Sequence, residues 1–181
     1  MEPIIVVEKK PNVLAFKTAL AYTGYFLALI YLLKWVGVDT NDPNITMLEK
    51  VVAQIASYVP FILAVVYVQS IFKKELGNYI SFGKAFSAGF KVAAYAGLFI
   101  GILLIFYYMV LDRAAFEQLM DISLRAAGDD REKIRGVEMM RSYMPFFIGF
   151  SAAIMYTLFG LVVSVIGAAI LKNDKPLFIE E

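Results

Sequence analysis

Residues 81–111 read SFGKAFSAGFKVAAYAGLFIGILLIFYYMVL, and the rest of the chain is arranged around them. From Ala85 to Leu111 there are 27 residues and one charge, Lys91. A helix rises about 1.5 Å per residue, so about 20 residues cross the hydrocarbon core of a bilayer. This segment crosses with length to spare. Small residues recur every four positions, at Ala85, Gly89, Ala93, Gly97 and Gly101. Between helices in lipid there is no hydrophobic drive, and small residues replace it by letting backbones approach. Steps of four drift about 40° each, so five positions spiral over about 160°. The two ends of the stripe are therefore expected to serve different neighbours.

A second stripe lies near the end of the chain. Residues 145–171 carry no charge, and Gly149, Ala153, Thr157, Gly160, Ser164 and Ala168 are spaced 4-4-3-4-4. On a helical wheel they stay within about 100°, a single face. That face is expected to pack on the 84–111 helix. Two further apolar stretches, about 13–36 and 51–72, complete four spans. Lys17 and Lys34 sit near the two ends of the first, with Tyr31 and Trp35 suited to the membrane interface. Pro60 lies inside the second and predicts a kink, with Ser57 or a neighbouring helix offsetting the freed carbonyl. Residues 37–49 read as a loop, and Ser81 as the N-cap of the third span.

Residues 112–143 differ in kind, with six Arg/Lys and seven Asp/Glu. Phe116, Leu119, Met120 and Ser123 form one helical stripe, ended by Gly128. Ile134, Val137, Met140 and Met144 continue a second. Asp129 with Glu132 reads as a capping box between them. The expected fold is all-α: one integral membrane four-helix bundle, 1–181, with an amphipathic extramembrane helical hairpin at 112–143 between spans three (about 84–111) and four.

Composition supports this class and excludes others. The chain has 181 residues, 60% hydrophobic, with a mean hydropathy of +0.69, well above the apolar share of about 45–50% in soluble domains. A net charge of +1 argues against nucleic acid. There is no cysteine and no histidine, which removes the usual thiolates, metal ligands and near-neutral general bases. No cofactor is expected. The termini and the 73–84 loop are Lys-rich, and loop 37–49 has acids without Lys or Arg. Both termini are thus expected in the cytoplasm by the positive-inside rule, although the six basic residues of 112–143 count against it.

At residues 77–89, GNYISFGKAFSAG, a basic loop, Gly, ISFG-x-AF and a span rich in small residues follow one another. In this the chain resembles an uncharacterised family of small four-span membrane proteins, designated domain of unknown function 4199, found chiefly in Bacteroidetes-type bacteria. The charged segment ending near VEMMRSYMP, the uncharged last span and the tail at Leu171–Lys175 are similar too. The likeness covers about residues 70–175, and helix one matches only in hydropathy. It implies a four-helix protein of the bacterial inner membrane and carries no activity or site residues.

Lys17 and Lys91 are the charges inside apolar stretches, and such groups are functional candidates by default. Two readings stand: their ammonium groups converge on an anionic lipid or solute at the inner leaflet, or each snorkels to the interface. Gln54, Ser57, Gln69, Ser70, Ser87, Thr157 and Ser164 either line a solute path or bond between helices, at about 0.6 kcal/mol each. Asp129, Asp130 and Glu132 are weak cation candidates beside their capping role. Ser87 and Lys91, four apart, make the one conceivable nucleophile–base pair. The leading expectation is a non-enzymatic accessory, structural or regulatory subunit. It would act through helix packing with a membrane-protein partner, a second copy and lipids. The alternative is a small oligomeric transporter or channel for a solute or anion.

Overall fold

A computed structural model describes residues 10–40, 42 and 44–175. The Lys-rich termini before Lys10 and beyond Lys175, and positions 41 and 43 of the expected 37–49 loop, lie outside the described residues. The elements are α1 (Asn12–Val36), α2 (Met47–Glu75), α3 (Phe82–Phe106), α4 (Arg113–Ala127), α5 (Arg131–Met140) and α6 (Met144–Leu171). A π-helical turn, Tyr107–Leu111, prolongs α3. Four helices are long and apolar enough to cross a membrane: α1, α2, α3 with its π turn, and α6. Among the described residues the one extended pairing is a bridge between Ile80 and Asn173, which ties the start of α3 to the end of α6.

Local chemistry sets the boundaries. Gly37 ends α1 in the left-handed region at φ 83°, and its N–H caps the last turn. The loop expected at 37–49 is shorter than that, because α2 begins at Met47. Thr46 and Glu49 form a capping box: the Thr46 hydroxyl accepts from the Glu49 N–H, and the Glu49 carboxylate accepts from the Thr46 N–H. Ser81 stands at the N-cap of α3 with extended backbone, yet its side chain makes no cap bond. The expected Asp129 box is also corrected. The cap of α5 is Asp130, whose carboxylate accepts from the Glu132 and Lys133 N–H groups at 3.0 and 3.2 Å. These bonds hold the Asp130 carboxyl below the usual carboxylate range.

At the centre of the bundle α3 packs on α1, α2 and, most extensively, α6. The two small-residue stripes meet each other. A Cβ on Gly149 would stand 2.5 Å from the Gly101 carbonyl oxygen, and one on Gly101 would stand 2.7 Å from that of Gly149. Gly97 meets Ala153 and Thr157, Gly160 meets Ala93, and Gly89 meets Ser164. Gly89 also touches Gln69 of α2, so the stripe does turn towards a second neighbour at that end. Ala85 and Ala168 are fully buried beside it. Gln69 is itself fully buried between three helices, and its amide donates to the carbonyls of Ala85 (3.1 Å) and Ser164 (2.9 Å).

Helix α1 runs parallel to α3 but starts well along it. Phe16 lies against Tyr95 and Phe99, and Tyr31 against Tyr107. Lys17 is therefore level with the middle of α3. The expectation that Lys17 and Lys91 share one end of the bundle is corrected by this offset. At the other end α4 seals the bundle, with Phe116 and Met120 buried against Tyr107 and Tyr108. Those two tyrosines close a span, where aromatic rings often form an interface belt, but here they are buried at 4% and 9% exposure.

Candidate functional site

Besides Gln69, two clusters of polar side chains bonded between elements stand out among the described residues. The first is built around Pro60 of α2. Proline has no N–H, so the carbonyl four residues earlier, Ala56, loses its helical partner. The Tyr25 hydroxyl donates to that oxygen at 2.8 Å. One turn below on α1, the Tyr22 hydroxyl donates to the Ser57 carbonyl at 2.9 Å. The Ser57 hydroxyl bonds the Tyr156 hydroxyl of α6 at 2.7 Å, and Tyr156 also lies 3.5 Å from the Tyr22 hydroxyl. Tyr25 thus meets the carbonyl that Pro60 leaves without a helical donor, and Tyr22 meets the carbonyl of the next residue. Phe61 closes the cluster from below, its ring 5.2 Å from Tyr22 and 5.3 Å from Tyr156.

This arrangement makes a test. Tyr25→Phe is expected to cost about 1 kcal/mol of stability in detergent, the worth of one hydrogen bond. In a Pro60→Ala background the residue 60 N–H returns to the Ala56 oxygen, and the cost of Tyr25→Phe should vanish. A double-mutant cycle by thermal unfolding reads this directly; an equal cost in both backgrounds would show that Tyr25 does not serve that carbonyl.

The second cluster joins α1, the π turn and α4. A π turn brings residues five apart into register. Here the Asp112 N–H bonds the Tyr107 carbonyl at 2.8 Å. The Tyr107 hydroxyl then reaches the Asp112 carboxylate at 2.9 Å, and the Lys34 ammonium pairs with the same oxygen. The other carboxylate oxygen caps α4 by accepting from the Ala115 N–H. Asp112 is 8% exposed. Burial alone would raise its pKa, but the Lys34 ammonium, the Tyr107 hydroxyl and the Ala115 N–H outweigh that and hold the carboxyl below the usual range. Beside it lies a cavity of about 280 Å³ lined by Lys34, Thr40, Leu104, Tyr107 and Leu119, among others.

The residues picked from sequence are distributed as follows. Lys17 is exposed and Lys91 half-buried, on different levels. Ser57 and Gln69 bond between helices, whereas Ser164 donates to the Gly160 carbonyl within α6. Gln54 is exposed, and Thr157 fills the space beside Gly97. Among the described residues no three His, Cys, Asp or Glu side chains gather as a metal site would require. Sequence reasoning missed Tyr22, Tyr25 and Tyr156 because aromatic residues in spans read as packing, and it missed the Lys34–Asp112 pair because 78 residues separate its partners. The Asp112 cap was the one part with a local signal, a short acidic side chain between two helices.

The family whose model matches residues 17–173 is described as Protein of unknown function (DUF4199). No curated protein and no solved structure matches the chain.

Proposed function

The chain belongs to the DUF4199 family of proteins of unknown function, and we propose that it is a non-enzymatic accessory or regulatory subunit of the membrane. One observation carries this reading. Along the inside of the bundle Phe61, Val65, Val68, Val92 and Ala93 are all 0% exposed. These apolar side chains close the bundle below the tyrosine cluster, which argues against a pore through one copy. The hydroxyls above them bond to one another and to backbone carbonyls, not to a base that would activate a nucleophile.

The surface left for a partner is the end bearing α4 and α5. Helix α5 buries none of its residues, and it is tied to α4 by the pair of Arg141 with Glu117. With the Lys-rich termini in the cytoplasm of a bacterial cell, this end faces away from it. Lys17 and Lys91 lie on different levels of the bundle, which argues against a shared anion site.

Affinity capture from the native membrane in mild detergent, with mass-resolved stoichiometry, tests the proposal. A stoichiometric partner that is lost on truncating the exposed side chains of α5 is the expected result. A bare monomer or homodimer overturns it. Solute flux in proteoliposomes that disappears in Lys91→Ala would put a transporter in its place.

A further inference from the structure

Helix α1 turns one bare face outward. Ala15, Ala19, Tyr22 and Leu29 are buried on its core side. On the opposite side Lys17, Ala21, Gly24 and Ala28, spaced 4-3-4, lie within about 60° of one another, and all four are exposed. A Cβ at Gly24 would meet nothing within 4 Å. Among the described residues nothing covers this face.

The charge on it is set deep. The third span with its π turn runs Phe82–Leu111, with its midpoint between Ala96 and Gly97. Phe16 packs on Tyr95 and Phe99, one on either side of that midpoint, with ring centres 5.7 and 5.3 Å apart. Lys17 is the next residue. The exposed apolar surface of α6 gives the same centre. It runs from Phe146 to Ile170, and its middle, Leu158, lies between Thr157, which meets Gly97, and Gly160, which meets Ala93. The edge of the hydrocarbon is then about 15 Å away on either side, farther than the four-carbon stem of one lysine spans. Val13 and Leu20, the neighbours of Lys17 on this face, are apolar and more than half exposed. Among the described residues Lys17 has no ion pair and no hydrogen bond through its side chain.

We propose that this face of α1 docks a transmembrane helix of a different protein, one that carries an Asp or Glu in the middle of its span, and that this carboxylate pairs with Lys17. An ammonium at such depth calls for an anion. The spans of this chain do not supply one: α1, α3 with its π turn and α6 contain no Asp or Glu, and the acids of α2, Glu49 and Glu75, stand at its two ends. A second copy therefore brings no carboxylate to this level. Small side chains at 21, 24 and 28 let a second backbone approach closely, which places the pair out of water, where charges are screened least. The partner helix is expected to carry large apolar side chains beside its acid, to fill the space left open at Gly24. The proposal rests on the accessory-subunit reading and names the contact that such a subunit makes within the membrane, apart from α5.

Capture of the full chain from native membranes in mild detergent compares variants on this face. Lys17→Leu and Gly24→Leu are each expected to reduce the co-purified partner at least tenfold, while thermal unfolding of the chain itself stays unchanged, since neither position is packed in the bundle. Lys17→Arg is expected to retain the partner. Mass spectrometry identifies it, and its mid-span acid is then exchanged for Lys. That exchange or Lys17→Glu alone is expected to abolish capture, and the two together to restore it. A partner retained equally by wild type, Lys17→Leu and Gly24→Leu overturns this contact and leaves the accessory reading standing. The absence of any partner overturns both. A partner without Asp or Glu in its spans overturns the pairing. So does capture that falls in Lys17→Leu yet is indifferent to the partner's acid, which would assign Lys17 to a lipid phosphate.

Discussion

Gly149→Leu is expected to abolish the folded bundle, and Gly149→Ala to cost about 1–3 kcal/mol, the usual range for overpacking a tight contact. The obstacle at this position is backbone. A Cβ at Gly149 meets the Gly101 carbonyl oxygen at 2.5 Å, and a carbonyl within a helix has no rotamer to move into. The Ile105 side chain, at 2.6 Å, leaves no room on the other side. The α3–α6 pair must therefore separate along its length, and it is the most extensive contact in the molecule. Gly24 and Gly136 supply the controls, since a Cβ at either meets nothing within 4 Å. Thermal unfolding in detergent followed by size-exclusion profiles decides the matter. A stable, monodisperse Gly149→Leu protein would mean that α3 and α6 do not pack as described.

Asp112→Ala is expected to release α4 from the bundle, at a cost of about 2–4 kcal/mol. The figure combines the loss of an N-cap, about 1 kcal/mol, with charge-assisted bonds of about 1.5–3 kcal/mol. Lys34 is half exposed and recovers water when freed, which keeps the sum below that of a fully buried pair. Asp112→Asn retains the cap and the Tyr107 bond and should lie in between. The readout is limited tryptic cleavage at Arg113 and Arg125, slow in the wild type and rapid in Asp112→Ala.

The same contact carries a pH dependence. The folded carboxyl titrates below its unfolded value of about 4, so its stabilisation is complete above that value and is lost as pH falls through the folded value. Tryptic cleavage is not informative in acid, so pepsin serves there: cleavage within 112–127 should accelerate below about pH 4 in the wild type. The acceleration should be absent in Asp112→Ala, which is open throughout. An identical acid response in both proteins would assign the opening to other carboxylates.

Much of this architecture was legible in the chain because its signals are local and periodic. Four spans follow from apolar runs of sufficient length. The α3–α6 pairing follows from two stripes of small residues, of which the 4-4-3-4-4 spacing at Gly149–Ala168 marks a true face. Boundaries fared less well: Thr46 and Glu49 start α2 four residues before the apolar run begins, in a box hidden by the polar stretch around it.

The candidate sites were read less fully. Ser57 stood out as a polar residue within a span, but its bond to Tyr156 did not. Nothing in the order of residues says that Tyr25 faces the carbonyl freed by a proline 35 positions later, that Tyr22 bonds the Ser57 carbonyl, or that Lys34 lies level with Asp112. Those pairings depend on how far α1 slides along α3, an offset set by packing of Phe16 on Tyr95 and Phe99. The π turn that aims Tyr107 at Asp112 likewise leaves no mark in the sequence. Composition and periodicity determined that this chain makes four apolar helices and which faces of α3 and α6 pair, because lipid leaves backbone no choice but the helix and small residues no better use than close approach. The depth at which each polar side chain sits, and what it meets there, was decided only when the helices packed, because register between helices is a property of side-chain shape summed over the whole contact.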